Sequence, residues 1–407
     1  MRNILIILFG LAATATPVAA QLTLPPVGGG VGDILGSAGR ALDPVTGRVN
    51  DLASHASRLA AERAERLRDL VRRDSGTIEF DNAGELARRG ELIIVNATDA
   101  DINVAVAAGY TLLGSERLDQ LGLSATRLGV PGRTPLGRAE ARLKKLLPDA
   151  IITADNLHQQ SGEAATNRPT ERVRATAAPI DATVGIIDGA PAATSAAIRG
   201  FARGAPFPSN HGSAIASLLN IAGVRSVAVA DVYGTDPAGG NALAISRGIN
   251  WLVSQDAKVI SISLVGPRNP LLGQAIAAAQ GRGVVFVAAV GNDGPAAPPA
   301  FPASYPGVIA VTGVDGRNRV LIEAGRALHL DYAAPGADMR AADARGRWVK
   351  VRGTSYAVPL IAARAAAAVS GRINVTNALD REAIDLGTKG PDASFGRGLV
   401  CASCRRR

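Results

Sequence analysis

The sequence contains few of the residues on which several function classes depend. Aromatic residues make up 3% of its 407 residues, and none of them interleaves with basic residues as nucleic-acid-binding surfaces require. Its two cysteines are too few for a disulfide framework, and two thiolates alone make a poor metal site. The four histidines show no metal-ligand spacing, so the sequence predicts no metal centre.

Long apolar runs are also missing. The run Ile4–Phe9 is too short to span a bilayer, and no later segment offers about 20 uninterrupted apolar residues. Small residues follow this run and end at Ala20, which predicts a signal peptide over residues 1–20 with cleavage after Ala20. We therefore expect an exported protein that is periplasmic, secreted or at the cell surface, with no transmembrane span in the mature chain.

Basic residues outnumber acidic residues by 44 to 35, and all but five of the basic residues are arginine. They are scattered along the chain, so the charge does not predict a nucleic-acid partner. The exception is Arg48–Arg73, where leucines alternate with Arg, Glu and Ala in the pattern of an amphipathic basic helix. Such a helix binds a partner or a membrane surface or is simply solvated, and the pattern favours the solvated helix.

The most informative segment is Arg352–Pro359, with the sequence RGTSYAVP. Gly353 permits a tight turn and the close approach of a substrate. Ser355 then stands at the start of an alanine-rich helix, where the helix dipole and free N–H groups favour a nucleophile. An ordinary serine helix cap is the alternative interpretation.

Three further polar residues stand at the ends of predicted elements. A short apolar run closes on Asp188, which predicts a buried strand with a carboxylate at its carboxyl edge, where open α/β sheets place active sites. His211 lies in the first turn of a predicted helix, where its imidazole can act as a general base. Asn292 follows a second apolar run and is flanked by glycines, so it is a candidate oxyanion donor.

The order Asp188, His211, Asn292, Ser355, with the motifs NHGS, VAAVGNDGP and GTSYAVP, resembles the subtilisin-like serine peptidases (subtilases) over about residues 182–400. The resemblance implies a serine endopeptidase with an Asp–His–Ser triad and an oxyanion held by the Asn292 side chain and the Ser355 N–H. Two alternatives remain: a catalytically weakened subtilase-fold binding module, and a different α/β hydrolase. The absence of a G-x-S-x-G motif disfavours the second.

Four positions depart from the family pattern. Gly189 follows the aspartate where the family usually has Ser or Thr, so a supporting hydroxyl is missing. Ala214 stands where a second histidine is common, and Leu360 replaces the histidine after the proline of the serine motif. Val265 replaces a usual glycine in the wall of the specificity pocket, and we expect its branched side chain to narrow the pocket.

The resemblance also implies how a polypeptide substrate binds. An extended chain would lie as the middle strand between two backbone edges, although an ordinary sheet-edge loop is the alternative for the first of them. A shallow pocket would favour Ala or Leu over Phe or Trp before the cut, whereas Asp293 would favour Lys or Arg if it reaches the pocket mouth. The expected substrate-binding residues are Gly234, Thr235, Ser263, Leu264, Val265, Gly266, Ala289, Val290 and Gly291.

Alternating strand and helix patterns over 177–400 predict an α/β fold with a doubly wound, mostly parallel sheet, as in subtilisin. Residues 77–158 show the order βαββαβ of a small α+β, ferredoxin-like domain. This order resembles the inhibitory propeptides of subtilases, so we expect the chain's own propeptide to act as an intramolecular inhibitor. Residues 21–76 form a Gly/Pro-rich segment with the basic helix, 159–176 a polar linker with the processing site, and 401–407 a Cys/Arg tail.

No cofactor is required for the chemistry that the resemblance implies. Calcium sites are common in the family, but the acidic loop residues here do not form a readable ligand set. In an oxidising compartment, Cys401 and Cys404 would close a small disulfide loop. Their place at the extreme tail, before Arg405–Arg407, does not favour a redox role.

Overall fold

A computed structural model describes residues 54–164, 177–192 and 196–406. These belong to one unit, Ser54–Arg407. The predicted signal peptide, the Gly/Pro-rich segment and most of the predicted linker lie outside the described residues. Within the described ranges, no helix is both long and apolar enough to cross a bilayer.

The first described element is a helix over residues 54–73, α1. An antiparallel sheet with two helices follows. The strands are β1 Ile78–Phe80, β2 Leu86–Val95, β3 Thr111–Leu118, β4 Leu123–Gly129 and β5 Ile151–Asn156, and the helices are α2 Asp99–Ala107 and α3 Leu136–Leu146. In this sheet β2 pairs with β1, β4 and β5, and β3 pairs with β4. The predicted α+β fold of this region is confirmed, with β1 as an additional strand.

The run Leu92–Val95 explains how this sheet is packed between its own helices and the C-terminal part of the chain. Successive side chains of a strand point to opposite faces. Leu92 and Ile94 pack in the core beneath α2 and α3, whereas Ile93 and Val95 join the core of the C-terminal part of the chain. Because both faces of the strand are buried, all four positions are apolar, and the α+β region is packed firmly on its neighbour.

The C-terminal part is built on seven parallel strands. They are β8 Val184–Asp188, β9 Ala197–Gly200, β10 Val227–Asp231, β11 Val259–Ile262, β13 Val285–Ala289, β14 Val308–Val314 and β15 Tyr332–Pro335. Their order in the sheet is β15-β14-β13-β11-β8-β10-β9. The predicted doubly wound parallel sheet is therefore confirmed.

Helices cover both faces of this sheet. The helices are α4 Asn210–Ile221, α5 Ala242–Ser254, α6 Pro270–Gln280, α7 Val358–Ser370 and α8 Val375–Glu382. Two of them, α5 and α6, share a core with the α+β region, and two others, α4 and α7, pack in the core on the opposite face.

The α-helix that follows the serine motif begins later than the sequence predicted. Ser355 lies in a 3-10 turn, Thr354–Tyr356, and the α-helix begins at Val358. Pro359 stands in the first helical turn, where the missing N–H of proline costs nothing. Five of the six alanines of α7 are buried, so this small-residue helix packs closely on the sheet, as expected.

The predicted polar linker is more ordered at its start than the sequence indicated. Residues 159–164 form two short strands, β6 and β7, because their backbone groups pair with edges of the C-terminal part. The remaining short strands are β6 Gln159–Gln160, β7 Glu163–Ala164, β12 Leu264–Val265, β16 Met339–Ala342 and β17 Trp348–Arg352. At the far end of the chain, Cys401 and Cys404 form the expected disulfide.

Candidate active site

Asp188 and His211 meet at the carboxyl edge of the parallel sheet. Asp188 ends β8, and α4 begins with Ser209 as its N-cap, which places His211 in the first turn. His211 Nδ1 lies 2.7 Å from Asp188 Oδ2. The carboxylate is fully buried and the imidazole is 6% exposed, so this pair is shielded from water.

The other carboxylate oxygen of Asp188 has two donors. The Gly189 N–H donates at 2.7 Å, and the Gln160 side-chain amide donates at 2.9 Å. A Cβ at Gly189 would lie 2.5 Å from Ser209 Oγ, which in turn accepts from Gly212 N. The space for the missing hydroxyl is thus occupied by the helix cap, which gives a physical reason for glycine at position 189.

Ser355 is fully buried and contacts Ser161 of its own chain. Its Oγ contacts the Ser161 carbonyl oxygen and lies 2.7 Å from Ser161 Oγ and 3.1 Å from Ser263 O. The Ser355 N–H donates to the Ser161 carbonyl oxygen at 3.2 Å. His211 Nε2 is buried and makes no hydrogen bond within the described part of the chain.

The Asn292 side chain faces the same carbonyl group. Its Oδ1 accepts from Thr354 N at 3.0 Å, which orients the amide. A Cβ on Gly353 would lie 2.9 Å from Asn292 Nδ2, 3.2 Å from Ser161 O and 2.8 Å from the Gly162 Cα. The amide nitrogen and the carbonyl oxygen therefore border one small space, which only glycine at position 353, with φ of +144°, leaves open.

Residues 157–164, the substrate-like segment, lie in the cleft as the middle strand between two backbone edges. On one side, the His158 N–H donates to Gly240 O at 2.8 Å. On the other side, β6 pairs antiparallel with β12, and the Ser161 N–H donates to Ser263 O at 3.2 Å. This is the arrangement that the resemblance implied for a bound polypeptide, here occupied by the chain itself.

The first of these edges is not where the sequence prediction put it. Gly234, with φ of +52°, and Thr235 contact the loop over residues 203–205; the Thr235 N–H donates to Arg203 O at 2.9 Å. The edge that pairs with the substrate-like segment is formed by Gly240 and Asn241. Sequence reasoning missed them because the glycine pair at 239–240 gave no sign of which residue would face the cleft.

The other predicted substrate-binding residues surround one cavity or support it. The cavity, about 610 Å³, is bordered by Val265, Gly266, Val290, Gly291 and Asn292. Ala289 and Leu264 are fully buried, and Ser263 contacts Ser355. A Cβ on Gly291 would lie 3.3 Å from Val265 Cγ1, so Val265 and Gly291 lie close together in the wall of this cavity, the candidate specificity pocket.

Two buried titratable side chains near the cleft were not found from the sequence. His158 is fully buried without a hydrogen bond to either ring nitrogen within the described residues, and burial lowers its pKa to about 4. Asp155 accepts from Leu243 N at the start of α5, and burial raises its pKa to about 6 despite Arg88 nearby. Neither has a sequence signal, since burial is decided by the packing of the two parts.

The remaining histidines lie elsewhere. His55 is on α1, and His329 lies 3.5 Å from Asp331. Among the residues that the structure describes, no three His, Cys, Asp or Glu side chains gather as they would around a metal ion.

Comparisons with known proteins agree with this geometry. The sequence profile of the subtilase family matches residues 202–398, which include His211, Asn292 and Ser355. Subtilisin from Bacillus pumilus is 32% identical over 207 residues, which cover 47% of this chain and 75% of that protein. Subtilisin E from Bacillus subtilis is also 32% identical over 207 residues, and the match spans 47% of this chain and 54%, about half, of that protein.

Solved structures share the fold. Fervidolysin from Fervidobacterium pennivorans, a keratinolytic enzyme related to subtilisin, has a TM-score of 0.62 at 15% identity over 81% of this chain and 63% of its own. The epidermin leader peptide processing serine protease from Staphylococcus aureus has a TM-score of 0.57 at 14% identity, over 77% of this chain and 98% of its own. Fold, site and sequence together define a subtilisin-like serine peptidase scaffold. This chain belongs to the subtilase family.

Proposed function

We propose that this chain is an exported serine endopeptidase, made as a precursor that cuts its own backbone between Ser161 and Gly162. The observation that carries the proposal is the position of the Ser161 carbonyl group. Its oxygen accepts from the Ser355 N–H at 3.2 Å and contacts Ser355 Oγ. A nucleophile, an oxyanion donor and a candidate scissile carbonyl thus meet in one place.

The residue types supply each step of acyl transfer. Ser355 Oγ attacks the Ser161 carbonyl carbon while His211 Nε2 takes the hydroxyl proton. Asp188 accepts from His211 Nδ1–H and stabilises the imidazolium. The Ser355 N–H and Asn292 Nδ2 stabilise the oxyanion.

The tetrahedral intermediate collapses when the bond between Ser161 C and Gly162 N breaks. The leaving amine takes its proton from His211, and the Ser161 acyl group is left as an ester on Ser355. Water, deprotonated by His211, then attacks this ester and restores the serine. The products are an N-terminal part ending in the Ser161 carboxylate and a C-terminal part beginning at Gly162.

The same contacts support inhibition by the N-terminal part. Cleavage at Ser161 would leave residues 157–161 in the cleft, still paired with Gly240 and Ser263. The α+β sheet buries Ile93 and Val95 against the C-terminal part, which adds a large apolar contact to this pairing. A separate polypeptide substrate would need the same edges, so it would compete with the product.

The test is the fate of the purified precursor. Wild type should yield a new N-terminus at Gly162, and Ser355→Ala should stay full length because no acyl-enzyme forms without the hydroxyl. An organophosphonate probe should label Ser355 in the processed protein. If the processed form appears normally in Ser355→Ala, or if wild type stays uncut and unlabelled, the chain is instead a binding module of subtilase fold.

A further inference from the structure

The basic helix α1 lies at the rim of the specificity pocket. It carries six arginines against three acidic residues. Three of these arginines, Arg58, Arg68 and Arg72, pair with acids of the helix itself. Arg63 and Arg66 instead reach out of the helix, and both bind Asp293, the residue that follows Asn292.

Each carboxylate oxygen of Asp293 is bound by an arginine of α1. Arg63 Nε lies 3.2 Å from Asp293 Oδ2, and Arg66 contacts Asp293 Oδ1. Arg63 also pairs with Glu85 of the α+β region at 2.9 Å. Because the Arg63, Glu85 and Asp293 side chains are only 16–26% exposed, water screens this network less than it screens a surface pair.

Apolar contacts accompany the ion pairs. Leu59 of α1 lies over Gly294: a Cβ on this glycine would be 2.7 Å from Leu59 Cδ1. One helical turn beyond Arg63, Leu67 is buried with Leu86 and Leu157, the latter in the substrate-like segment. The helix thus presents one face that is both apolar and basic. The apolar part of this face lies against Gly294, and the basic part binds Asp293.

Helix α1 contributes to the lining of the same cavity. Val265, Val290 and Gly291 line it on the peptidase side, and Arg63, Arg66 and Leu67 of α1 line it as well. The small side chain of Ser161 leaves this cavity of about 610 Å³ beside it. A larger substrate side chain would therefore meet α1 at the pocket mouth.

We propose that Asp293 and Gly294 form an exosite for a basic amphipathic helix, and that α1 bound there is a second inhibitory contact beside the substrate-like segment. The inhibitory role rests on the proposed function, because it concerns the activity that follows self-cleavage. A cut between Ser161 and Gly162 breaks none of the α1 contacts. The exosite therefore retains the N-terminal part and delays the appearance of activity until α1 leaves.

Docking itself is tested without any activity. In the uncut Ser355→Ala precursor, amide hydrogen exchange over residues 289–294 is compared between the parent, R63Q/R66Q and the matched control R68Q/R72Q, whose arginines pair only within α1. We expect amide exchange to be roughly tenfold faster in R63Q/R66Q and unchanged in R68Q/R72Q. The increase is of this size because an ion-pair network of this kind contributes only modestly to the free energy of local opening. Asp293→Asn, which removes the same ion pairs from the other side, should match R63Q/R66Q.

Inhibition is tested in the active chain. The interval between cleavage at Ser161 and hydrolysis of an added chromogenic peptide should shorten several-fold in R63Q/R66Q and stay unchanged in R68Q/R72Q. Raising the salt concentration should shorten this interval in wild type and have little effect in R63Q/R66Q, because salt screens the ion pairs.

Each outcome decides a different point. Equal exchange in R63Q/R66Q and R68Q/R72Q would overturn the exosite. Faster exchange with an unchanged interval would overturn its inhibitory role. A wild-type chain that never cuts itself would contradict the proposed function, while the exchange experiment would still decide whether α1 docks at Asp293.

Discussion

Gln160 Nε2 donates a 2.9 Å hydrogen bond to Asp188 Oδ1, so the substrate-like segment contacts the carboxylate that orients His211. The second donor to this oxygen is the backbone N–H of Gly189. The segment thus supplies part of the polar environment of the site that it occupies. When residues 157–161 leave the cleft, Asp188 loses the Gln160 donor.

Gln160→Leu should release the cleaved N-terminal part up to about tenfold faster than wild type. A hydrogen bond to a charged group contributes about 1.5 kcal/mol at the lower end of its usual range, and tenfold corresponds to about 1.4 kcal/mol. The measurement is the rate at which peptide hydrolysis appears after the cut. Gln159→Leu is the control, since Gln159 lies on the same strand but does not contact Asp188; equal effects of the two changes would refute this role for Gln160.

Gly162→Ala should slow self-cleavage by roughly ten- to a hundredfold. A Cβ at residue 162 would lie 2.9 Å from Tyr356 Cε2 and 3.3 Å from Ser355 Cβ, and Tyr356 is only 2% exposed and cannot move aside cheaply. Overpacking of this kind costs about 1–3 kcal/mol. The half-time of precursor cleavage is the readout. Gly76→Ala, where no atom of the described residues would lie within 4 Å of the new Cβ, should cleave like wild type.

Asp155 and His158 should give opposite pH dependences to precursor stability. The pKa of His158 is lowered from 6.5 to about 4, so its contribution to the free energy of unfolding is present above pH 6.5 and is lost as the pH falls toward 4. The pKa of Asp155 is raised from 3.8 to about 6, so its contribution is present below pH 3.8 and is lost as the pH rises through 6. Each change is on the order of 3 kcal/mol, and between pH 4 and 6 the two oppose each other.

Single substitutions separate the two groups. In the Ser355→Ala precursor, Asp155→Asn should gain stability relative to its parent as the pH rises from 4 to 7, and His158→Phe should gain stability relative to its parent as the pH falls. Urea midpoints at four pH values provide the measurement. Parallel pH profiles for parent and variant would mean that the group is solvated in the protein.

Asn292→Ala should lower kcat with little change in KM, because the amide is needed mainly when the carbonyl becomes an oxyanion. Losing one such donor costs ~10²–10³ in rate, a magnitude that itself comes from subtilisin. Asn292→Asp keeps an acceptor for Thr354 N but has no donor, so it should be equally impaired. A variant with raised KM and normal kcat would point to substrate binding instead.

Val265→Gly should widen the range of residues accepted before the cut. Val265 Cγ1 lies against Gly291 across the pocket, so wild type should prefer Ala or Leu to Phe or Trp by no more than ~1–3 kcal/mol. A peptide library profiled with both proteins is the measurement. A wild-type preference for large aromatic residues, or an unchanged profile in Val265→Gly, would show that Val265 does not limit the pocket.

Local pattern was sufficient to predict most of the fold. Apolar runs that end in polar residues identified β8 and β13, and the alternation of strands and helices predicted the parallel sheet, because buried strands and amphipathic helices carry their own periodicities. The same patterns predicted the α+β region. The start of α7 was predicted three residues early, since proline and small residues mark a helix start only approximately.

What the sequence determined by itself is the set of reactive residue types and the sheet edge on which they stand. Only the tertiary structure decided what surrounds them. Gly240, and not Gly234, pairs with the substrate-like segment, Ser209 fills the space beside Gly189, and α1 lies on Asp293 instead of in solvent. Each of these depends on contacts between residues tens to hundreds of positions apart, and such contacts leave no periodic trace in the local sequence because they are set by how separately formed elements pack together.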